Sequence, residues 1–131
     1  MGLILEYIET VQKIDNIQEA GLDNRKKVKR NNKLADRLRQ IAFEIDSEHP
    51  EMKPNFYQLL FYEKETVRCW AAHHILEVMN YDDICRTNAL KEIVYVSKHD
   101  KSINGLGDKM WLQQWFEKYP TDKELLQTSS C

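Results

Sequence analysis

Apolar residues recur along this chain at helical rather than strand spacing, and that period decides which folds are open to it. Ile4, Ile8, Val11 and Ile14 fall three or four residues apart, as do Leu34, Leu38, Ile41, Ala42 and Ile45, so each set lines one face of an α-helix. With 4 Gly and 3 Pro in 131 residues, the turn chemistry that an all-β chain needs at every hairpin is missing. The chain reads as all-α. Its length suits one domain and can bury a core without disulfide or metal support.

The same period places about six helices. A first helix is expected over residues 3–20, stopped by Gly21, and a second over residues 24–46, broken by Ser47-Glu48-His49-Pro50. Pro54 opens a short helix that carries Phe56, Leu59 and Leu60 inward. Residues 63–66 form a turn. A fourth helix, residues 67–79, turns Val67, Ala71, Ile75 and Val78 to one side. Tyr81-Asp82-Asp83 marks the next junction, where an aspartate can cap. A fifth helix reaches about Ser97, and a last one carries Met110, Trp111, Trp115 and Phe116 to Pro120. Residues 1–120 are thus read as the domain and residues 121–131, which lose periodicity, as a flexible tail.

No apolar run approaches the roughly 18 residues of a membrane span, and the N-terminus lacks the basic and apolar regions of a secretory signal. Cys69, Cys85 and Cys131 are odd in number and not closely spaced, so reduced thiols and a cytoplasmic address are expected. The net charge of −2 is unevenly spread. Arg25, Lys26, Lys27, Lys29, Arg30, Lys33, Arg37 and Arg39 face Asp36 alone, a local +7 that leaves −9 for the rest. This segment reads as a solvated helix face, as a surface for an anionic protein, or as a holder of nucleic-acid backbone. Its charge looks spread round the helix, and no aromatic residue interleaves with it, which disfavours nucleic acid.

Catalytic and metal signatures are sparse. His73 and His74 are adjacent and point about 100° apart on a helix, so they cannot share a metal. His73 and Glu77 have i,i+4 spacing and could supply two ligands, with no third in view. Cys69 and Cys85 read as buried structural thiols, since no paired base is apparent. Gly105-Leu106-Gly107-Asp108 lacks the third glycine of a dinucleotide loop and reads as a helix-entry loop, with Asp108 as a cap. No catalytic residue, metal ligand or cofactor site is assigned, and the chain is not expected to be an enzyme.

The segment Gln58-Leu59-Leu60-Phe61-Tyr62-Glu63-Lys64-Glu65-Thr66-Val67-Arg68-Cys69-Trp70-Ala71-Ala72-His73-His74-Ile75-Leu76 resembles a HEAT-type helical hairpin: a Leu-rich helix, an acidic turn, Val-Arg, then small residues. With Lys27 to Leu38, Asn88 to Ile93 and Leu112 to Trp115, it is similar, over roughly residues 3–118, to small bacterial HEAT-like proteins of polymorphic toxin loci. The resemblance implies a short right-handed stack of helical hairpins; three repeats of about 40 residues are the most this length allows. It also implies an immunity protein that neutralises a cognate toxin of the contact-dependent growth inhibition kind, a nuclease among them, by occluding its active site as a 1:1 complex. The alternative is a nucleic-acid-binding module using residues 25–39.

The residues expected to contact such a partner are Tyr62, Glu63, Glu65, Trp70, His74, Tyr81, Asp82 and Asp83, along one rim of the stack. Tyr and Trp dominate interface energetics, and Trp70, one residue off the Val67/Ala71/Ile75 stripe, is expected at the edge of the core. The four acids are expected to cluster at neighbouring turns, either as helix caps or as a patch that attracts a basic partner.

Overall fold

The computed structural model describes residues 2–21, 23–100 and 103–128; Cys131 lies outside them. The described chain is all-α. Its helices are α1 (Gly2–Ala20), α2 (Arg25–Glu48), α3 (Lys53–Tyr57), α4 (Glu65–Glu77), α5 (Asp83–His99), α6 (Ile103–Lys118) and α7 (Pro120–Thr128), with tight turns of helix at Pro50–Met52 and Gln58–Phe61. No helix among the described residues is long and apolar enough to cross a membrane.

The boundaries follow from local chemistry. Gly21 ends α1 at φ +94, a left-handed conformation that glycine adopts without a Cβ penalty. Asn24 caps α2 by accepting from the Lys27 N–H at 2.9 Å, and Asp82 caps α5 by accepting from the Cys85 N–H at 2.9 Å. Residues 55–62, expected as one helix, divide into the end of α3 and the tighter turn Gln58–Phe61.

α4 lies at the centre. α1, α2, α3 and α5 all pack on it, α1 pairs with α2, and α5 passes on to α6 and α7. Ala71 and Ala72 of α4 are fully buried, so neighbouring backbones can approach closely where a larger side chain would hold them off. Val67 and Ile75 meet Leu38, Ile41 and Ile45 of α2 and Leu90 and Ile93 of α5 in one core. In α1 the buried face is Tyr7, Val11 and Ile14, with Ile4 and Ile8 only half-buried beside it. The aromatic Tyr7 takes the centre that the aliphatic period assigned to its neighbours.

Two expectations fail. Residues 120–128 are not a loose tail but α7. Pro120 suits a first helical position, and Asp122, buried, accepts from Arg86 Nη2 at 2.5 Å and Trp115 Nε1 at 2.8 Å. These partners lie on α5 and α6, so periodicity within the segment carries no trace of them. Likewise, Gly105 to Asp108 lie inside α6 and not in an entry loop. A Cβ at Gly105 would stand 1.7 Å from the Asp100 carbonyl oxygen. Only glycine lets α6 start so close to the end of α5.

Candidate functional site

A cavity of about 420 Å³ opens beside α4 between α1 and α6. Its wall carries Cys69 and His73, one turn apart on α4, and Asp108 from α6. Asp108 joins the other two: Cys69 Sγ donates to Oδ2 at 3.3 Å, and His73 Nε2 lies 2.9 Å from Oδ1. Burial and the Asp108 carboxylate push the Cys69 thiol well above its usual range, so it is a proton donor and not a thiolate. A cysteine activated for attack needs the reverse, with a base or a cation lowering its pKa.

The rest of the wall is acidic. Asp15, Glu65, Glu77 and Asp100 line it together with Asp108, and among the described residues no Lys or Arg lines it. Lys64 reaches Asp15 from outside at 3.1 Å, and Thr66 donates to the same oxygen at 2.7 Å. Glu77 accepts from Trp111 Nε1 at 2.6 Å and lies 3.9 Å from His73 Nδ1. The Trp111 ring meets His73 edge-on at 4.5 Å and opens a ladder through Trp115 to Tyr119.

The residues expected to meet a partner do not share one rim. Tyr62, Glu63 and Glu65 stand at the start of α4, whereas Tyr81, Asp82 and Asp83 stand at the start of α5, beyond the other end of α4. Thirteen residues of α4 separate the two groups, roughly 20 Å at 1.5 Å per residue. The four acids therefore form two separate pairs. The carbonyls of Tyr62 and Glu63 accept from Arg68, and Glu65 lines the cavity with Trp70. Trp70 is half-buried at the edge of the core, as its spacing predicts. Tyr81 donates to the Lys53 carbonyl at 2.8 Å with the Lys53 ammonium over its ring.

His74 is withdrawn from the contact set. It is 5% exposed and hydrogen-bonded to the fully buried Tyr7 hydroxyl, 2.6 Å from Nδ1. Burial, aided by the charges of His73 and Arg39, pushes its pKa down to about 3, and burial raises the pKa of Tyr7. With both rings neutral, the phenol donates to Nδ1. His74 points at α1, whereas His73, about 100° round the helix, points at α6.

Two surfaces stand out elsewhere. Phe61 and Ile84 are 62% and 72% exposed. The Tyr57 ring lies against Phe61 at 5.6 Å and Tyr81 at 6.2 Å, and its hydroxyl accepts from Asn88 at 2.7 Å. Ile84, one turn before Asn88, shares that face. Asp82 and Asp83 are exposed at its edge, and Glu124 lines a groove with Asp83. On α2, Arg25, Lys26, Lys29, Arg30 and Lys33 are all exposed. At 100° per residue these five fall within an arc of about 140°, while Lys27 and the exposed Arg39 lie outside it, so the charge is densest on one side of the helix. Lys27 and Arg37 are tied to Asp23 and Glu6 at 3.1 and 2.6 Å.

Comparison of the chain with known protein families, curated proteins and solved structures finds no match.

Proposed function

We propose that the protein acts by binding a protein partner, and that it is an immunity protein that neutralises a bacterial toxin in a 1:1 complex. The reading is carried by the exposed Phe61 and Ile84 on either side of the half-buried Tyr57, with the acids Asp82, Asp83 and Glu124 near Ile84. Large exposed side chains grouped with an acidic edge fit an apolar anchor surrounded by Lys and Arg. A nuclease toxin offers such a surface, because its substrate site is basic. The resemblance at residues 58–76 supplies the biological setting. Of the residues first expected at the contact, Tyr81, Asp82 and Asp83 border this face, whereas Tyr62, Glu63, Glu65 and Trp70 lie towards the other end of α4.

The test is co-expression of the tagged protein with the product of the neighbouring reading frame. The expected result is a 1:1 complex and protection from that product's toxicity, both lost in Ile84→Glu and weakened in the double variant Asp82→Lys, Asp83→Lys. Absence of a complex, or a complex indifferent to these substitutions, refutes the proposal.

The basic stripe on α2 favours a second reading, contact with a nucleic-acid backbone. Five phosphate contacts give a log–log salt slope of about −4 to −5. A gel shift at low salt that disappears along that slope supports it; no shift at low salt eliminates it.

A further inference from the structure

We propose that Cys69, His73 and Asp108 form a binding site for a divalent transition-metal ion of the zinc class. The three side chains each bring one ligand atom, and these atoms all lie within 4.8 Å of one another. Cys69 and His73 are four residues apart, so α4 presents both on one face. Asp108 arrives from α6, three residues after Gly105, whose missing Cβ lets that helix approach.

The geometry is near what an ion needs. Zinc bonds of about 2.0–2.3 Å set tetrahedral donor atoms roughly 3.3–3.7 Å apart. The present separations of 2.9 and 3.3 Å to the Asp108 oxygens are those of hydrogen bonds, and side-chain shifts of under about 1 Å convert them. Thiolate, imidazole and carboxylate together select zinc or cobalt over magnesium and calcium, which take oxygen donors.

The surroundings favour a cation. Five carboxylate residues line the cavity, and among the described residues no Lys or Arg does. Glu77 faces the second nitrogen of His73 at 3.9 Å, the place where a metal-bound histidine characteristically donates to a carboxylate. The protons balance. On metal binding the Cys69 thiol releases its proton to solvent and the thiolate coordinates. A neutral His73 moves its proton from Nε2 to Nδ1, facing Glu77, and frees Nε2 as a ligand. Three protein ligands would leave a fourth position open to the cavity.

The structure makes this site testable with the metal alone. The full chain, reduced and treated with chelator, is titrated with Co²⁺. A thiolate-to-cobalt charge-transfer band saturating at one equivalent and removed by Zn²⁺ is the expected result. Cys69→Ser should abolish the band, Asp108→Asn should weaken Co²⁺ binding at least tenfold, and Glu77→Gln should weaken it roughly 10- to 100-fold. The double variant Cys85→Ser, Cys131→Ser keeps Cys69 as the remaining thiol and should retain the full band. If Cys69→Ser fails to fold, loss of the band in His73→Gln beside its retention in that double variant carries the same assignment. No charge-transfer band with Co²⁺ in excess, a band that survives Cys69→Ser, or a band lost from the Cys85→Ser, Cys131→Ser protein overturns the proposal.

Discussion

Lowering the pH protonates His74 in the unfolded chain well before it does so in the folded one. The unfolded imidazole has its ordinary pKa of 6.5, and burial against Tyr7 pushes the folded one down to about 3. Between these values the unfolded state binds the extra proton, so stability rises with pH there. The contribution is full above 6.5 and is lost as the pH falls towards 3. At about pH 4.5, two units below the unfolded pKa, the loss is about 2.7 kcal/mol at 1.36 kcal/mol per unit, a large part of a domain's typical stability of about 5–15 kcal/mol. The double variant Tyr7→Phe, His74→Leu removes the titrating group and its partner together, and such apolar pairs are nearly neutral when shape is kept. Urea unfolding at about pH 7.5 and about pH 4.5, followed by circular dichroism, reads the difference. The wild type should lose about 2–3 kcal/mol more than the double variant on acidification, since His49, His73, His99 and the carboxylates are common to both. Equal losses would refute a His74 held neutral by burial. Tyr7→Phe alone, which strands Nδ1 without its donor, should cost about 1–3 kcal/mol at about pH 7.5.

Gly105→Ala drives a Cβ to 1.7 Å from a backbone oxygen and should cost about 2–3 kcal/mol, whereas Gly107→Ala, with nothing within 4 Å, should gain about 0.5–1 kcal/mol from helix propensity; thermal melts of the two variants check both signs. Asp122→Ala leaves Arg86 and Trp115 without their acceptor and should cost about 2 kcal/mol, less than a fully buried pair because Arg86 keeps some solvent contact; a denaturation midpoint equal to wild type would remove α7 from the folded unit. The bidentate Arg37–Glu6 pair, at 2.6 and 2.8 Å and partly exposed, should be worth no more than about 1 kcal/mol in a double-mutant cycle and should weaken with salt.

The helical class, the core residues of α2 and α4, the stop at Gly21 and the cap at Asp82 were legible because each depends on residues within a few positions of one another. What escaped depends on pairs far apart in the chain. α7 is held by Arg86, 36 positions before Asp122, so a window over residues 121–131 shows only a short, weakly periodic segment. The third member of the Cys69 and His73 group is Asp108, 35 positions beyond His73. On α4 the i,i+4 spacing links Glu65, Cys69, His73 and Glu77 in one row, so spacing alone does not single out Cys69–His73 as the pair that meets Asp108. Tyr7 does not belong to the aliphatic stripe on α1, yet a ring with a polar tip is buried when a neutral histidine can accept from it. The single acidic rim failed for a geometric reason: successive turns of a helical hairpin lie at opposite ends of it.

α4 explains where binding chemistry collects in this molecule. Helices surround most of it, so nearly every polar side chain on it must find a partner on another element. His74 finds Tyr7 on α1, Arg68 reaches Glu92 on α5 at 3.4 Å, and Thr66 donates to Asp15 on α1. Each match is local, and together they fix how the neighbouring helices are turned about α4. On the side facing α6 the matching is of another kind. Asp108 takes both Cys69 and His73, and Glu77 takes Trp111, while Glu65 and Asp100 add carboxylates to the same wall. Carboxylates thus gather here beside a thiol and an imidazole, with Lys64 reaching Asp15 from outside. Sulfur, nitrogen and oxygen donors brought together on this side are the set that the proposed metal ion would take, so the side of α4 facing α6 carries its most specific ligand chemistry.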